Sequence, residues 1–428
     1  MNAPRFKSAT HEHAASDGAS SRAEGVATVT GIANRGIGVA RVGGKVVFLP
    51  LTAPGDRVAY RIEREGARYS VGQVIEVQEP GPERVTPFCP LFGRCGGCQL
   101  QHLSYEAQRA LKRHWVEDAF RRIGRMDAAV DEVTASPVTV GYRNKASIHV
   151  GDGRVGFLRA HSHDIVDVPE CPVLEPRLQE AWPAVRMWAH SVTHEEPFRM
   201  MLRVGQEDSP LVVAHSRTPA KRLAQLAAAL PHVRVAAGGE RETVSYLCRG
   251  VSFDVEAGTF FQVNSAQLES MVGTLEALAP GGAVLVDGHA GVGWPSLCLA
   301  PPYEQVICAE IARRSCERGI ANARRAGLDH VRFHRGTLAS LRCRGALPSR
   351  PDVMLMDPPR DGLLPRDLEA AAAMAARSIV YVSCDPATQA RDVARLQKGG
   401  YDLVRVIPFD LFPHTAHVES VALLTRRR

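Results

Sequence analysis

Two short segments concentrate the reactive side chains of this chain. One is Ser383-Cys384-Asp385-Pro386, the other Phe412-Pro-His-Thr-Ala-His-Val-Glu419 near the chain end. Most isolated cysteines are small buried hydrophobes. The flanking Ser-Cys-Asp-Pro is turn chemistry, however, and it puts the Cys384 thiol at an element end rather than in a core. A thiolate there can add to an electron-poor carbon. Such an addition needs a base later to remove a proton. On spacing alone His414, His417 and Glu419 are all candidates for that base.

A second concentration of thiols is Cys89, Cys95 and Cys98, spaced C-x5-C-x2-C, with Cys171 in Pro-Glu-Cys-Pro as a fourth candidate. Gly96-Gly97 allows the tight fold that would aim two thiolates at one centre. Four thiolates suit tetrahedral zinc or a [4Fe–4S] cluster, and the spacing leaves both open. A third feature is the glycine loop Gly288-His-Ala-Gly-Val-Gly-Trp294, directly after the apolar stretch Ala283–Asp287. A strand, a glycine loop and a helix bring backbone N–H groups towards a polar or anionic ligand. Glu310, about twenty residues on, is placed to hold ribose hydroxyls. Asp357-Pro-Pro-Arg360 closes another strand-like run.

The elements that must carry these residues follow from periodicity. Residues 24–83 read as short β-branched strands with glycine breaks, a small β-barrel of TRAM or OB type. The stretch from Tyr105 to Ile123 reads as a helix with Leu111, Trp115, Ala119 and Phe120 on one face. Residues 84–256 are expected to form a mixed α+β central domain holding the cysteine cluster. From residue 257 to 428 strands alternate with helices, the signature of a doubly wound, Rossmann-like α/β domain with a parallel sheet. Its expected strands are Ala283–Asp287, Gln305–Glu310, His330–His334, Asp352–Asp357 and Ser378–Ser383. Residues 1–23 lack any hydrophobic period and read as a disordered tail.

Composition sets the broad limits. The apolar share of 45% permits a sizeable core, and the formal charge of +6 permits a polyanionic partner without requiring one. No apolar run is long enough to cross a bilayer and no apolar signal core stands at the N-terminus. A cytoplasmic protein away from membranes is expected, and with no oligomerisation device in view, a monomer.

Taken together, these motifs resemble the RNA uracil-5 methyltransferases, most closely the iron–sulfur 23S rRNA type with an N-terminal TRAM domain. The likeness covers nearly everything after residue 23. It includes Gly141-Tyr-Arg-Asn-Lys145 and Gly258-Thr-Phe-Phe-Gln-Val-Asn264 as well as the segments above. The resemblance implies that Cys89, Cys95, Cys98 and Cys171 hold a [4Fe–4S] cluster. It implies contacts to S-adenosylmethionine from Gln262, His289, Glu310 and Asp357. It implies that Cys384 is the nucleophile and Glu419 the base, and that Arg143 and Lys145 face the substrate. Carbon 5 of uracil is a poor nucleophile, and thiolate addition at carbon 6 is what makes it one. The implied substrate is 23S rRNA, with tRNA as the alternative. The chain departs from the family pattern at His289, Ala290 and Pro295 of the glycine loop, at Thr337 and at Asp361. Those departures keep open a metal-stabilised RNA-binding protein with a degenerate catalytic domain.

Overall fold

The computed structural model describes residues 24–192, 196–206, 211–214, 220–230, 233–236 and 241–427. The expected tail 1–23 lies outside the described residues. The chain divides into two compact units. The first comprises the chain up to Leu111 with Arg154–Val168 and Phe412–Ala416; the second comprises Lys112–Gly153, Pro169–Leu411 and His417 onward.

In the first unit, β1 (Glu24–Ala33), β2 (Ile37–Val42), β3 (Lys45–Pro50), β4 (Arg57–Glu65) and β5 (Tyr69–Glu79) close into a barrel in the order β1-β2-β3-β5-β4. Alternation places Ala27, Val29, Ala40, Val47, Leu49, Val58 and Tyr60 inside it. In β2, Gly38 lies so close to Thr52 that a Cβ would stand 1.8 Å from Oγ1. Buried Asp56 ties one end of the barrel. It accepts from the Gly81 and Ala53 backbone N–H groups and from the Arg84 guanidinium. Burial raises its carboxyl, but these donors win and hold it below the usual range.

The helix α1 (Tyr105–Ala119) follows and ends in a π turn, Phe120–Gly124. Next come β6 (Lys145–Gly151), β7 (Arg154–Leu158), β8 (Ile165–Asp167), α2 (Pro176–Ser191), β9 (Phe198–Arg203), β10 (Leu211–Ala214), α3 (Ala220–Ala229), β11 (Arg234–Ala236), β12 (Thr243–Cys248) and β13 (Val251–Glu256). The hairpin β7–β8 belongs to the first unit. The second unit contains the sheet β11-β10-β9-β6 and the hairpin β12–β13. One face of β6 and β9 carries Ala146, Ile148, Val150, Met200 and Leu202, all buried.

The rest of the second unit is the doubly wound part. It runs α4 (Leu268–Leu278), β14 (Gly282–Asp287), α5 (Ser296–Leu299), β15 (Tyr303–Glu310), α6 (Arg313–Arg325), β16 (Val331–Arg335), α7 (Leu338–Cys343), β17 (Val353–Met356), α8 (Pro365–Met374), β18 (Ser378–Ser383), α9 (Pro386–Lys398), β19 (Tyr401–Phe409) and β20 (Glu419–Arg426). The seven strands are ordered β16-β15-β14-β17-β18-β20-β19. Five are parallel, as the alternation of strands and helices predicts. The last two, absent from the sequence-based expectation, are antiparallel: β20 pairs with β18 and β19 with β20. The core behind the sheet includes Val286, Ile307, Met354, Met356, Ile379, Tyr381, Val393 and Leu424.

Candidate active site

A parallel sheet presents one edge of strand C-termini, where α/β proteins bind ligands. Asp287 ends β14, Glu310 ends β15, Asp357 follows β17 and Cys384 follows β18. Because β20 runs antiparallel, its first residue rather than its last lies at that edge, and that residue is Glu419. Ser383 pairs with Ser420 across β18 and β20, so Cys384 and Glu419 stand one step beyond that pair. Residues far apart in the chain become neighbours by register alone.

Helix α9 fixes this corner. Asp385 is its N-cap, accepting from the N–H groups of Ala387 and Thr388, and Pro386 takes the first helical position. The aspartate of the Ser-Cys-Asp-Pro motif therefore builds the turn that carries the thiol. On the same helix, buried Gln389 donates to the carbonyls of Tyr381 and Ser420 and accepts from the Ser420 hydroxyl, stapling β18 to β20. Asp392 accepts from the Tyr381 hydroxyl and from the Leu363 N–H, which ties the loop after Asp357 to the same helix. Gly362 in that loop has φ +76°, and a Cβ there would lie 2.5 Å from an Asp392 oxygen, so only glycine fits.

Electrostatically the corner is crowded with acids. Burial, then Glu419 and Asp357, push the half-buried Cys384 thiol up to about 12, while the Arg360 guanidinium opposes them through charge and a hydrogen bond. Burial, then Asp357, hold the Glu419 carboxyl well above its usual range, again against Arg360. Burial, then Asp287, push Asp357 up to about 7. His417, two residues from Glu419, is held down to about 4 by burial and by Arg360, Lys112 and Arg143, so near neutral pH it is an uncharged imidazole. Among the described residues, Arg360 is the one cation acting on both Cys384 and Glu419. The sequence offered it only as the last residue of Asp-Pro-Pro-Arg, with no signal of that role.

The glycine loop is built differently from the expectation. Helix α5 after it has only four residues, so no long helix aims its N-terminus at a ligand. The loop N–H groups are spent inside the protein. His289 N–H donates to Asp287, Gly291 N–H to Glu310 and Gly293 N–H to the Ala290 carbonyl. Asp287, which the sequence reading did not single out as a site residue, is buried and also accepts from the Ser296 hydroxyl. Burial pushes its carboxyl up to about 7. Glu310 accepts one backbone N–H at each oxygen, from Gly291 and Ala312, which leaves each oxygen a lone pair for a ligand hydroxyl. A Cβ on Gly291, at φ +54°, would meet nothing within 4 Å, so the loop borders open space. Among the described residues, buried His289 Nδ1 has no hydrogen-bond partner. A carboxylate with spare acceptors, open space and an unspent polar atom fit an adenosyl group. Thr337 caps α7, accepting from Ser340 N–H in a capping box. Gln262 is buried, and its carbonyl accepts from Asn144, which joins the Phe-Phe-Gln-Val-Asn segment to the start of β6.

Of the expected cluster ligands, Cys89, Cys95 and Cys98 lie in the first unit and Cys171 in the second, and all four are half-buried and in no disulfide. The loop of the first three is folded by bonds from Phe92 N–H to Cys89 O and from Cys95 N–H to Leu91 O, and Gly97 N–H donates to Cys95 Sγ at 3.4 Å. Among the described residues no three His, Cys, Asp or Glu side chains converge as metal ligands. Four thiols suit such a cluster in chemistry.

Comparison with known proteins agrees with this architecture. The sequence model of the tRNA (uracil-5-)-methyltransferase family matches residues 349–427, the segment that contains Asp357, Cys384 and Glu419. The TRAM domain model matches residues 25–75, within the barrel. An uncharacterized RNA methyltransferase of Thermosynechococcus vestitus is 36% identical, over 93% of this chain and 97% of that one. A second, from Halalkalibacterium halodurans, is 32% identical over 93% and 96%. The crystal structure of Pyrococcus abyssi tRNA (uracil-54, C5)-methyltransferase in complex with S-adenosyl-L-homocysteine superposes with TM-score 0.73. It is 25% identical, covering 94% of this chain and 99% of that one. Relatives aligned along almost the whole chain, with the C-terminal segment and the barrel each matched separately, lead to one conclusion: the chain belongs to the S-adenosylmethionine-dependent RNA (uracil-5-)-methyltransferase family.

Proposed function

We propose that Cys384 adds to carbon 6 of a uridine, that carbon 5 then accepts the methyl group, and that Glu419 takes the carbon 5 proton. The observation that carries this reading is the β18–β20 register, which sets the thiol and the carboxylate side by side at the ligand edge. As the Cys384–carbon 6 bond forms, the electrons of the carbon 5–carbon 6 double bond move onto carbon 5 and its carbonyl. S-adenosylmethionine would supply the methyl group from its sulfonium, the carbon 5–methyl bond forming as the sulfur–methyl bond breaks and S-adenosylhomocysteine leaves as the neutral thioether. Glu419 receives the carbon 5 proton, the double bond re-forms and the Cys384 sulfur departs. Arg360 stabilises the anionic forms of both groups, since it opposes the acids that push their ionisation upward. Glu310 holds the ribose through its two spare acceptor positions, and His289 and Gln262 border the same cofactor. Asp357 lies between cofactor and base.

Removing the two reactive groups should fail differently. Cys384→Ala should bind RNA, form no adduct and transfer no methyl group. Glu419→Gln keeps the size of the side chain but cannot take the proton, so methylated RNA should accumulate covalently on the protein, as a shifted band on a denaturing gel. Adduct accumulating in His417→Ala, with normal turnover in Glu419→Gln, would move the base to His417. An active Cys384→Ala would end the covalent mechanism.

For the substrate we propose a uridine of 23S rRNA. The TRAM barrel and the cysteine set support it by their likeness to that branch of the family. A tRNA substrate is the second reading, favoured by the full-length likeness to a tRNA methyltransferase that also covers the barrel region. For the four cysteines we propose a [4Fe–4S] cluster in a structural role, with Cys171 as fourth ligand. The donor from Gly97 to Cys95 supports this, because N–H groups on the ligand sulfurs stabilise thiolate charge.

A further inference from the structure

Glu419 is the first residue of β20 and pairs with Phe409, the last of β19. A strand end frays unless the chain beyond it is tied. The connection 410–418 before Glu419 is tied within the first unit, to which Phe412–Ala416 belongs; Leu411 and His417 onward belong to the second. His414, a candidate base by spacing, is the knot of this tie. Its carbonyl accepts from the N–H groups of both Gln99 and Leu100, and its own N–H donates to Gln108 Oε1 at 2.9 Å. The buried Gln108 amide also donates to His414 Nδ1 and to the Leu103 carbonyl. The Phe88 ring stands edge-on to the imidazole, with centroids 4.9 Å apart. His414 has φ +66°, a left-handed backbone that a residue other than glycine keeps only where its surroundings hold it.

Gln99 joins this strap to the thiol loop. It follows Cys98 directly. Its Nε2 donates to the Gly96 carbonyl, inside the turn 95–98, at 2.8 Å, and its Oε1 accepts from the Ala416 N–H at 3.1 Å. One amide therefore links the cysteine turn to a residue three positions before Glu419. Thr415 closes the strap on itself, its N–H and its hydroxyl both donating to the Phe412 carbonyl.

We propose that Gln99 and Gln108 are positioning residues for the base: they hold Phe412–Ala416 so that Glu419 stands where it can take the carbon 5 proton. Through Gln99 the fold of the cysteine turn bears on that step. This role rests on the reading of Glu419 as the base and deepens it, since it gives the thiol loop a part in the second half of the reaction. A base has to stand within hydrogen-bond reach of the proton it removes. Glu419 is fixed from its far side by Gln389, which grips Ser420, and from its near side by the strap. Cys384 is carried instead by the α9 turn that Asp385 builds. Loosening the strap therefore moves the base and leaves the nucleophile in place.

The test follows two labels through single turnovers of the full-length protein. The substrate is bulk RNA tritiated at uridine carbon 5 in cells lacking the enzyme; methyl entering the RNA and tritium leaving carbon 5 are timed together. In the wild type the two should keep pace. In Glu419→Gln methyl should enter while tritium release lags and RNA stays covalently on the protein. Gln99→Met should give the same split in weaker form, with methyl transfer within about two-fold of the wild type and tritium release slowed at least about ten-fold, since a displacement of about 1 Å can cost on the order of a hundred-fold in rate. Gln108→Met, on the separate tie, should do likewise. The ratio of the labels is read on the molecules that react, so loss of folded protein does not mask it. Labels still in step in both glutamine variants, whatever the total activity, are what a purely structural role gives, and they overturn the positioning role. If Glu419→Gln itself keeps the labels in step, the base reading fails and the positioning role with it. If Glu419→Gln splits them and neither glutamine variant does, only the positioning role is lost.

Discussion

Cys384 should be a slow thiol in the free protein, and slow by an amount the site geometry sets. With its ionisation pushed up to about 12, about one Cys384 in thirty thousand is thiolate at about pH 7.5, against about one in ten for an ordinary exposed cysteine. The deficit of roughly three thousand-fold is partly repaid, because a more basic thiolate is a better nucleophile; the usual dependence returns about forty-fold. Reaction with an aromatic disulfide should therefore run about a hundred-fold below an ordinary exposed thiol. It should also climb close to ten-fold per pH unit from pH 7 to 9 with no plateau. Peptide mass spectrometry after timed labelling reads Cys384 separately, with exposed Cys343 as a reference in the same molecule. The variants give the sign. Glu419→Gln removes a negative neighbour and should speed labelling at the alkaline end of the profile. Arg360→Met removes the opposing cation and should slow it throughout. A plateau near pH 8 in the wild type, or slower labelling in Glu419→Gln, would refute the account of a thiol suppressed by burial and adjacent acids. In that account the thiolate is not stored; substrate binding has to shift the balance that Arg360 only partly corrects.

Other outcomes follow from the same structure. Glu310→Ala should weaken S-adenosylhomocysteine binding by at least ~1–3 kcal/mol in calorimetry, the loss of hydrogen bonds to a charged acceptor; unchanged affinity would remove Glu310 from the cofactor site. Protein purified without oxygen should be brown, with broad absorbance near ~400 nm and iron and sulfide in matched amounts; stoichiometric zinc without iron would overturn the cluster. Lys112 and Asp410 form a fully buried ion pair at 2.6 Å, and burial drives the Lys112 ammonium below its usual range despite the partner. Lys112→Met alone should cost about 3–5 kcal/mol in urea unfolding by stranding the Asp410 charge, while the double replacement with Asp410→Leu should recover most of it; an additive pair of losses would contradict this.

The sequence by itself was enough for the local and the strongly periodic. The β-branched runs of 24–79 gave barrel strands because alternation is a property of neighbours in the chain. The parallel strands from 282 to 383 were legible for the same reason, with apolar runs between helical patterns. Chemical type was legible too: only a few residue kinds can add to a ring carbon or accept a proton, so Cys384 and Glu419 stood out once their motifs resembled a family. What the sequence could not decide was everything set by pairing between distant segments. The order β18-β20-β19 turns the last strands antiparallel, and that reversal alone carries Glu419 to the edge where Cys384 lies. The four-residue helix α5 and the spending of loop N–H groups on Glu310 and Asp287 were equally hidden, because they depend on which backbone packs beside which carboxylate. The chain shows Arg360 only as the last residue of Asp-Pro-Pro-Arg, and nothing in it marks the buried Arg203. Burial and the absence or presence of counter-charges decide what an arginine does, and these are properties of the folded interior rather than of its neighbours in sequence.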